Sequence, residues 1–390
     1  MKKIHDFDEA VDRIGTDSYK WDCEGAGGKY IPLGVADTDF RAPEEVCAAV
    51  RKRVDFGVFA YGNLPQKRFA DAVCAWYKKR YGLTLDPQAV RHSQGLMTGA
   101  LWMILNAYTR PGDKILVQPP VYNTFGIVIR GAGRFVENND LILKDGRYEI
   151  DFDDLEKKTA DPRVRILLVC NPANPVGRVW TREELTRMYE ICKKNHTLIV
   201  SDEIHGDIVY APHRHIPYFS LSEEIADNVI VMGSPSKTFN LACFYSAYVD
   251  IHNEELREQY GIVYEDYHFD YNYLGIEALI TAYNDCEYYA DQQNEYLHKN
   301  IEFAKRFLAQ AMPEVKVIEP EATYLLWIDF RAWELSSPEL VRLFESAGVK
   351  LNSGANYGAP GDGFLRLNVA TQTTVLEEAL RRMKKAAENR

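Results

Sequence analysis

Three short runs of apolar residues constrain the fold of this chain more than any other feature. They are VRILLVC (164–170), TLIVS (197–201) and NVIVMG (228–233). Nearly continuous apolar runs of this length are typical of β-strands buried on both faces of a sheet. Helical patterns lie between them, and one begins with a capping box formed by Thr181 and Glu184. Strands that alternate with helices predict an α/β fold with a mostly parallel sheet.

The pattern changes near residue 285. A long helical stretch, residues 288–311, leads into the apolar segments TYLLWIDF, GVKLNSG and GFLRLNVA. A chain of 390 residues is long enough for two domains. We predict a large domain at residues 46–284 and a smaller α+β domain formed by residues 1–45 and 285–390.

Composition and charge exclude several classes of protein. The chain is 46% hydrophobic and 26% charged, which is ordinary for a globular protein. Its net charge of -11 argues against binding to nucleic acid or to an anionic membrane, because both require basic patches. The seven cysteines form no CxxC pair, which argues against a zinc site or a disulfide framework. The first residues have no apolar core typical of a signal peptide, and no run is long enough to span a membrane, so we expect a cytoplasmic protein without a metal site.

Polar residues follow each of the three apolar runs. Asn174 comes shortly after the first run, Asp202 directly after the second, and Lys237 shortly after the third. In parallel α/β sheets the carboxyl ends of the strands lie at one edge, where ligands bind. We therefore expect Asn174, Asp202 and Lys237 to lie close together.

This trio of side chains suits one cofactor, pyridoxal phosphate. A lysine forms a Schiff base with its aldehyde. A carboxylate keeps the ring nitrogen protonated, and an amide can bond the phenolate oxygen of the ring. The phosphate needs several donors, which Ser234 and the helix start at Gly95 offer. Tyr122, just past a strand in PPVYNTF, offers an aromatic face for the ring.

Each of these residues also has an ordinary explanation. Asp202 alone fits a helix N-cap, Lys237 a surface lysine, and Asn174 a turn. Tyr122 alone fits a core residue. The segment from Ser234 to Lys237 also matches the Ser-x-x-Lys motif of penicillin-recognising enzymes, but the partner motifs S-D-N and K-T-G are absent. The joint occurrence of the residues, each after its own strand, favours the cofactor site.

The chain resembles the fold-type I pyridoxal-phosphate enzymes of the class I/II aminotransferase superfamily, and within them the cystathionine β-lyase group of MalY/PatB type. The resemblance extends over nearly the whole chain, in the motifs IPLGVADTDF, FAYGN, PVYNTF, NPANPVGRVW, SDEIHGDIVY, SPSKTFNLA, TYLLWIDF and GFLRLNVA. It implies a large domain with a mostly parallel seven-stranded sheet between helices and a smaller α+β domain. It also implies a homodimer with shared active sites.

The resemblance implies a role for each site residue. Lys237 would carry the cofactor and shuttle the Cα proton, Asp202 would pair with the ring nitrogen, and Asn174 would bond the phenolate oxygen. Arg366 would hold the substrate carboxylate, which its forked guanidinium fits; the ordinary explanation for Arg366 is a structural salt bridge. The remaining residues are expected to contact the cofactor: Tyr122 stacks on the ring, Ser234 and the amides of Leu96 and Met97 bind the phosphate, Gly95, His205 and Ser236 lie beside it, and Tyr61 reaches the phosphate of the neighbouring subunit.

Three departures from the family pattern bear on the substrate more than on the cofactor. Gly34 stands where Trp is usual, and Thr38 stands where Met is usual. Cys243-Phe244-Tyr245 replaces Gly-Leu-Gln. His205 is not a departure, because SDEIH is specific to this group, whereas the wider superfamily more often has Tyr at this position. We interpret Cys243 as a small buried hydrophobic residue rather than as a redox-sensitive thiol.

The expected activity is a C–S β-lyase. It would act on cystathionine or related S-substituted L-cysteines and release pyruvate, ammonia and a thiol. An aminotransferase and an amino-acid racemase use the same residues and remain open as alternatives. A non-catalytic alternative is a regulatory protein that binds pyridoxal phosphate and contacts a transcription factor.

Overall fold

The structure is a computed structural model, and it describes residues 3–267 and 271–390. The β-strands are β1 (Ile31–Pro32), β2 (Val90–Gln94), β3 (Lys114–Val117), β4 (Phe135–Asn138), β5 (Ile142–Lys144), β6 (Arg147–Glu149), β7 (Val164–Cys170), β8 (Leu198–Asp202), β9 (Val229–Gly233), β10 (Ser246–Ile251), β11 (Lys316–Val317), β12 (Leu325–Asp329), β13 (Val349–Lys350), β14 (Asn352–Ser353) and β15 (Phe364–Asn368). The α-helices are α1 (Glu44–Asp55), α2 (Gln66–Tyr81), α3 (Trp102–Tyr108), α4 (Thr124–Gly131), α5 (Phe152–Thr159), α6 (Arg182–Lys194), α7 (Glu223–Ala226), α8 (Glu254–Asp266), α9 (Tyr273–Asp285), α10 (Glu287–Ala311), α11 (Ser337–Ser346) and α12 (Thr373–Glu388).

Seven strands form one sheet in the order β2-β10-β9-β8-β7-β3-β4. The pairs β9–β8, β8–β7, β7–β3 and β3–β4 are parallel. Strand β10 is antiparallel to both of its neighbours, so β2 points in the same direction as the parallel strands. The prediction of a mostly parallel seven-stranded sheet is confirmed.

The central strands are apolar throughout because each face of the sheet has its own core. In β7, Leu167 and Val169 belong to one buried cluster, whereas Ile166 and Leu168 belong to the other. Helices α2, α6, α9 and α10 contribute to the first cluster, and α3, α4 and α8 contribute to the second. Alternate side chains of one strand therefore pack against helices on opposite faces, as expected for a two-sided sheet.

The predicted capping box fixes the start of α6. The hydroxyl of Thr181 accepts a hydrogen bond from the backbone N–H of Glu184 at 3.2 Å, and the Glu184 carboxylate accepts one from the backbone N–H of Thr181 at 2.8 Å. The capping box thus fixes the end of the loop between β7 and α6. This loop carries Asn174.

The C-terminal part contains a second, antiparallel sheet in the order β11-β12-β15-β14. The N-terminal segment joins it, since β1 pairs in parallel with β13 and places Ile31 opposite Val349. This pairing supports grouping residues 1–45 with residues 285–390. The domain boundaries themselves stay a prediction.

Within residues 3–267 and 271–390, no helix combines the length and the apolar character needed to cross a membrane.

Candidate active site

The carboxyl ends of five strands, β2, β3, β7, β8 and β9, lie at one edge of the large sheet. The residues that follow them surround a single cleft. All the predicted site residues except Tyr61 and Arg366 line it, namely Gly95, Leu96, Met97, Tyr122, Asn174, Asp202, His205, Ser234, Ser236 and Lys237. The structure therefore brings together the residues that the sequence pattern assigned to one rim.

Lys237 enters the cleft from the turn that follows β9. Its Nζ donates a hydrogen bond to the backbone carbonyl of Ala36 at 2.6 Å. Burial lowers the pKa of Lys237 to about 8, and the guanidinium of Arg366 acts in the same direction, whereas Asp37 and Asp202 oppose both. About a tenth of this amine is therefore neutral at pH 7, compared with well under a thousandth for an ordinary lysine, and this fraction is available as a nucleophile or base.

Asp202 is the last residue of β8 and is almost completely buried. Its Oδ1 accepts a hydrogen bond from the backbone N–H of Ile204 at 3.1 Å. Burial raises the pKa of Asp202 to about 7, although the Ile204 N–H and the Lys237 amine act in the opposite direction. A cationic N–H group placed beside this carboxylate would favour its ionised form.

His205 lines the same cleft and is only 2% exposed. Burial lowers the pKa of His205 to about 3, and Lys237 and Arg366 add to the effect, so its ring is neutral at physiological pH. Its Nδ1 has no hydrogen-bond partner among the described residues. A buried polar atom of this kind usually has a partner, so the cleft offers a site for a polar ligand atom.

The start of the helix after β2 forms one end of the cleft. Gly95 has a φ of 81°, and a Cβ there would lie 3.1 Å from the ring of Tyr245 and 3.3 Å from the hydroxyl of Thr98. The π-helical turn Leu96–Leu101 follows and continues into α3. Among the described residues, no side chain caps this turn. Its first backbone N–H groups are therefore available to an anion.

Three serines, Ser234, Ser236 and Ser246, line the cleft near that helix start. The hydroxyl of Ser234 donates to the backbone carbonyl of Ser246 at 2.8 Å and accepts from the backbone N–H of Ser236 at 3.2 Å. The Ser246 hydroxyl is buried and has no partner within the described part of the chain. Hydroxyl and backbone donors thus converge on the end of the cleft where the Leu96 turn begins.

Arg366 lies on β15, behind Asn174, and is 3% exposed. Its Nη1 donates to Oδ1 of Asn174 at 3.0 Å, and its Nη2 donates to the carbonyl of Gly34 at 2.6 Å. Its guanidinium carbon lies 5.0 Å from the ring centre of Tyr357. Because the oxygen of the Asn174 amide is used by Arg366, its nitrogen is left as the donor towards the cleft.

Tyr61 does not reach this cleft. Its side chain is 94% exposed, and it lies in a segment whose Phe56, Val58 and Phe59 are also exposed. In a single chain, this aromatic group has no contact with the other site residues. Its predicted role requires a second copy of the chain.

Several groups that complete the cleft were not predicted from the sequence. The most informative is the carbonyl of Ala36, which accepts from Lys237 and also from the hydroxyl of Tyr324 at 3.1 Å. A backbone acceptor has no sequence signature. Tyr324, however, lies in the family motif TYLLWIDF, and this motif could have identified it as a site residue. The cleft is also lined by Ala36, Thr98, Thr124, Cys170, Ile204, Ala242, Tyr245 and Ser246.

The departures from the family pattern have different structural settings. A Cβ at Gly34 would lie 3.2 Å from the backbone nitrogen of Asn352, so any larger side chain requires this backbone to shift. Thr38 is 1% exposed, and its hydroxyl has no partner in the described residues. Cys243 is exposed, so its interpretation as a buried hydrophobic residue is wrong. It lies in the 3₁₀ turn Ala242–Phe244, none of whose residues is buried.

Comparisons with known proteins identify the family to which the chain belongs. The sequence matches the family described as aminotransferase class I and II over residues 28–383. It is 40% identical to cystathionine beta-lyase PatB of Bacillus subtilis (strain 168), covering 97% of this chain and 99% of that protein.

Solved structures show the same relationship. Cystalysin from Treponema denticola, which contains a pyridoxal 5'-phosphate cofactor, has a TM-score of 0.94 and 32% identity, covering 99% of this chain and 100% of that chain. The PLP-bound C-S lyase from Staphylococcus hominis has a TM-score of 0.90 and 31% identity, covering 98% of each chain. The predicted fold type is confirmed, and the chain belongs to the class I and II aminotransferase family.

Proposed function

We propose that this chain is a pyridoxal-phosphate-dependent C–S β-lyase. It acts on cystathionine or a related S-substituted L-cysteine and, with water, yields pyruvate, ammonia and a thiol. The observation that carries this proposal is the 40% identity to a cystathionine beta-lyase over nearly the full length of both chains. The cleft supports it, because Lys237 and Asp202 line it and the guanidinium of Arg366 lies directly behind Asn174.

The donor set of the cleft fits the cofactor. The Leu96 turn is uncapped, and the hydroxyl of Ser246 and Nδ1 of His205 are buried without partners in the described residues. The first two groups suit a phosphate, and His205 suits a polar atom of the ring. Asp202, whose pKa burial raises to about 7, suits a protonated ring nitrogen. When bound, the cofactor supplies a sink for the electrons released at the substrate Cα.

Lys237 is the proposed base. It would hold the cofactor through its amine, and the same Nζ would then take the proton from the substrate Cα. Its pKa of about 8, lowered mainly by burial, suits both tasks near neutral pH. The Ala36 carbonyl, 2.6 Å from Nζ, gives the amine a defined orientation.

Arg366 is proposed to bind the substrate carboxylate. A guanidinium binds a carboxylate through two parallel N–H donors, which fixes both position and orientation. Its buried Nε has no partner in the described part of the chain, so a donor is available. Tyr122, which lines the cleft, is proposed to stack on the cofactor ring.

A homodimer with shared active sites is part of the proposal. Exposed apolar side chains at Phe56, Val58, Phe59 and Tyr61 support a contact with a second copy. We expect sedimentation velocity to give the mass of a dimer and Tyr61→Ala to weaken cofactor binding. A monomer that binds the cofactor as tightly as the dimer would contradict this part.

We also propose a cytoplasmic location, in agreement with seven cysteines that are all free in the structure.

The experiment measures pyruvate released from L-cystathionine with the cofactor present and no 2-oxo acid added. We expect rapid release by the wild type and by Lys305→Ala, a control at a lysine on α10 far from the cleft. Lys237→Ala should lower the rate by at least about 10³-fold. Wild-type rates in Lys237→Ala would contradict the mechanism.

An aminotransferase is the second candidate, because the matching family carries that description. It would release no pyruvate from L-cystathionine alone. It would instead convert an added 2-oxo acid into its amino acid. Absence of pyruvate together with this amine transfer would replace the lyase proposal.

A further inference from the structure

The backbone of residues 34–38, here called the N-terminal strap, contacts the active site through its carbonyl groups. The Gly34 carbonyl accepts from Arg366 at 2.6 Å, and the Ala36 carbonyl accepts from Lys237 at 2.6 Å. Asn368, which is two residues after Arg366 on β15, donates to the carbonyls of Val35 and Asp37, both at 2.6 Å. The strap therefore touches the two side chains proposed to bind and deprotonate the substrate.

The end of the strap is attached to the segment that carries Lys237. The side-chain amide of Asn240 donates to the carbonyls of Thr38 at 2.9 Å and Phe40 at 3.0 Å. The backbone N–H of Thr38 donates back to Oδ1 of Asn240 at 3.3 Å. The strap thus links the turn after β9 with β15 of the second sheet.

A charge cluster supports the strap from behind; Lys20 and Asp39 are buried in it, and Arg13 and Asp37 are partly exposed. Lys20 has no exposed surface, and its Nζ lies 2.8 Å from a carboxylate oxygen of Asp39 and 3.5 Å from one of Asp37. Arg13 pairs with the same two carboxylates at 2.7 and 2.9 Å. The indole N–H of Trp21 donates to Asp39 at 2.8 Å. Two cations and two carboxylates therefore balance within one cluster.

Removal of either a cation or a carboxylate from this cluster should destabilise the folded chain. Burial tends to raise the pKa of Asp39, but the ammonium of Lys20, the Trp21 N–H and Arg13 together hold it below its usual value. Removal of one partner leaves an uncompensated charge in the interior. The backbone on which Asp37 and Asp39 lie would then have to move towards water.

We infer that Lys20 and Asp39 are positioning residues of the active site, which fix the N-terminal strap so that the carbonyls of Ala36 and Gly34 orient Lys237 and Arg366. Neither residue touches the cleft. Their effect on turnover rests on the proposed function. Their effect on the Lys237 amine does not rest on the proposed function, because the hydrogen bond between Lys237 and the strap is present in the cofactor-free chain.

The test measures the reaction of the Lys237 amine with trinitrobenzenesulfonate in the cofactor-free protein as a function of pH, with the labelled lysine identified by peptide mass spectrometry. The wild type should have a midpoint near pH 8, as burial gives Lys237 a pKa of about 8. Loosening the strap admits water, so the midpoint should rise by at least half a unit towards the ordinary value.

Two variants separate positioning from a direct effect of charge. Lys20→Met removes a positive charge and Asp39→Asn removes a negative charge, so their direct electrostatic effects on Lys237 have opposite signs. Both variants loosen the strap, and we expect both to raise the midpoint. Lys20→Arg should restore part of the wild-type value, and Lys305→Met is the matched control that should change nothing. Shifts of opposite sign, or no shift in either variant, would overturn the inference.

The holoenzyme provides a second readout. Lys20→Met should lower kcat for L-cystathionine at least 5-fold and raise KM at least 5-fold, because Lys237 and Arg366 are both released. A merely structural role would lower the melting temperature and leave both constants of the folded enzyme unchanged. Where Lys20→Met and Asp39→Asn do not fold, Asn240→Ala releases the strap at Thr38 and carries the same expectation for the labelling midpoint.

Discussion

Lys237 is partly buried and Lys20 is fully buried, and their amines have different kinds of hydrogen-bond partner. Lys237 meets a neutral partner, the carbonyl of Ala36 at 2.6 Å, and burial lowers its pKa to about 8. Lys20 meets a carboxylate of Asp39 at 2.8 Å. A neutral acceptor leaves the charge of an ammonium largely uncompensated, whereas a carboxylate compensates it. The partners of the two lysines, Ala36 and Asp39, are only three positions apart in the chain. One short segment therefore contacts both a lysine proposed to react and a lysine that has a structural role.

The largest effect is expected when Lys237 is replaced with Met, which has a side chain of similar length. Turnover should fall by more than about 10³-fold, since the amine is lost. The cofactor-free protein should nevertheless become more stable at pH 7, by about 3 kcal/mol. The pKa of Lys237 falls from its ordinary 10.5 to about 8 in the folded chain. Lys237 therefore does not destabilise the fold above pH 10.5, and its destabilising effect is complete below about pH 8. Thermal unfolding at pH 7 and pH 10.5 measures this, and a destabilised variant at pH 7 would contradict the comparison.

The same substitution at Lys20 should have the opposite sign. Lys20→Met leaves the Asp39 carboxylate with one cation fewer and should cost about 3 kcal/mol of unfolding free energy at pH 7. Because the pKa of Asp39 is held below 3.8 in the folded chain, the stabilising contribution is present above about pH 4 and is lost as the pH falls further. Urea unfolding at pH 7 and at about pH 3 should show the deficit shrinking at the lower pH. A deficit independent of pH would mean that packing, and not charge, is what Lys20 supplies.

A smaller effect is expected at Arg366, which contacts the strap and is proposed to bind the substrate carboxylate. Arg366→Lys retains the positive charge and loses the forked pair of donors, one of which reaches Gly34. We expect kcat/KM for L-cystathionine to fall about 30-fold, or about 2 kcal/mol, mainly through KM. Arg331→Lys, at an exposed arginine beside Asp329, is the control. An unchanged KM would argue that Arg366 only supports Asn174.

The smallest effect concerns a single hydroxyl of the strap. The Thr38 hydroxyl is buried and has no partner among the described residues. Thr38→Val keeps the shape and removes the unsatisfied group, so the protein should gain about 1 kcal/mol. Thermal unfolding detects such a change. Loss of stability would indicate that this hydroxyl has a hydrogen-bond partner such as an ordered water.

The strand ends could be predicted because their signal is local. Apolar runs such as residues 164–170 and 228–233 are long enough to identify buried strands, and the parallel arrangement then places Asn174, Asp202 and Lys237 at one edge. The antiparallel strand β10 interrupts this rule without disturbing the site, because it contributes its start, Ser246, to the cleft.

The rest of the site depends on contacts that a sequence does not display. The acceptor of Lys237 is a backbone carbonyl about 200 positions earlier in the chain, and any residue at position 36 would supply one. Arg366 was identified through a family motif, but its bond to Asn174 follows from the packing of β15 against the loop after β7. The exposure of Cys243 depends on the course of a short turn, which no periodicity specifies.

The Ala36 carbonyl also makes the cofactor-free chain suitable for vibrational spectroscopy. An amide carbonyl that accepts from an ammonium ion forms a stronger hydrogen bond than one that accepts from a neutral amine. Its stretching band therefore moves to lower frequency when Lys237 binds a proton. A heavy-isotope label at this one carbonyl would separate its band from those of the other amides, and the infrared spectrum would then report the titration of Lys237 without any added probe.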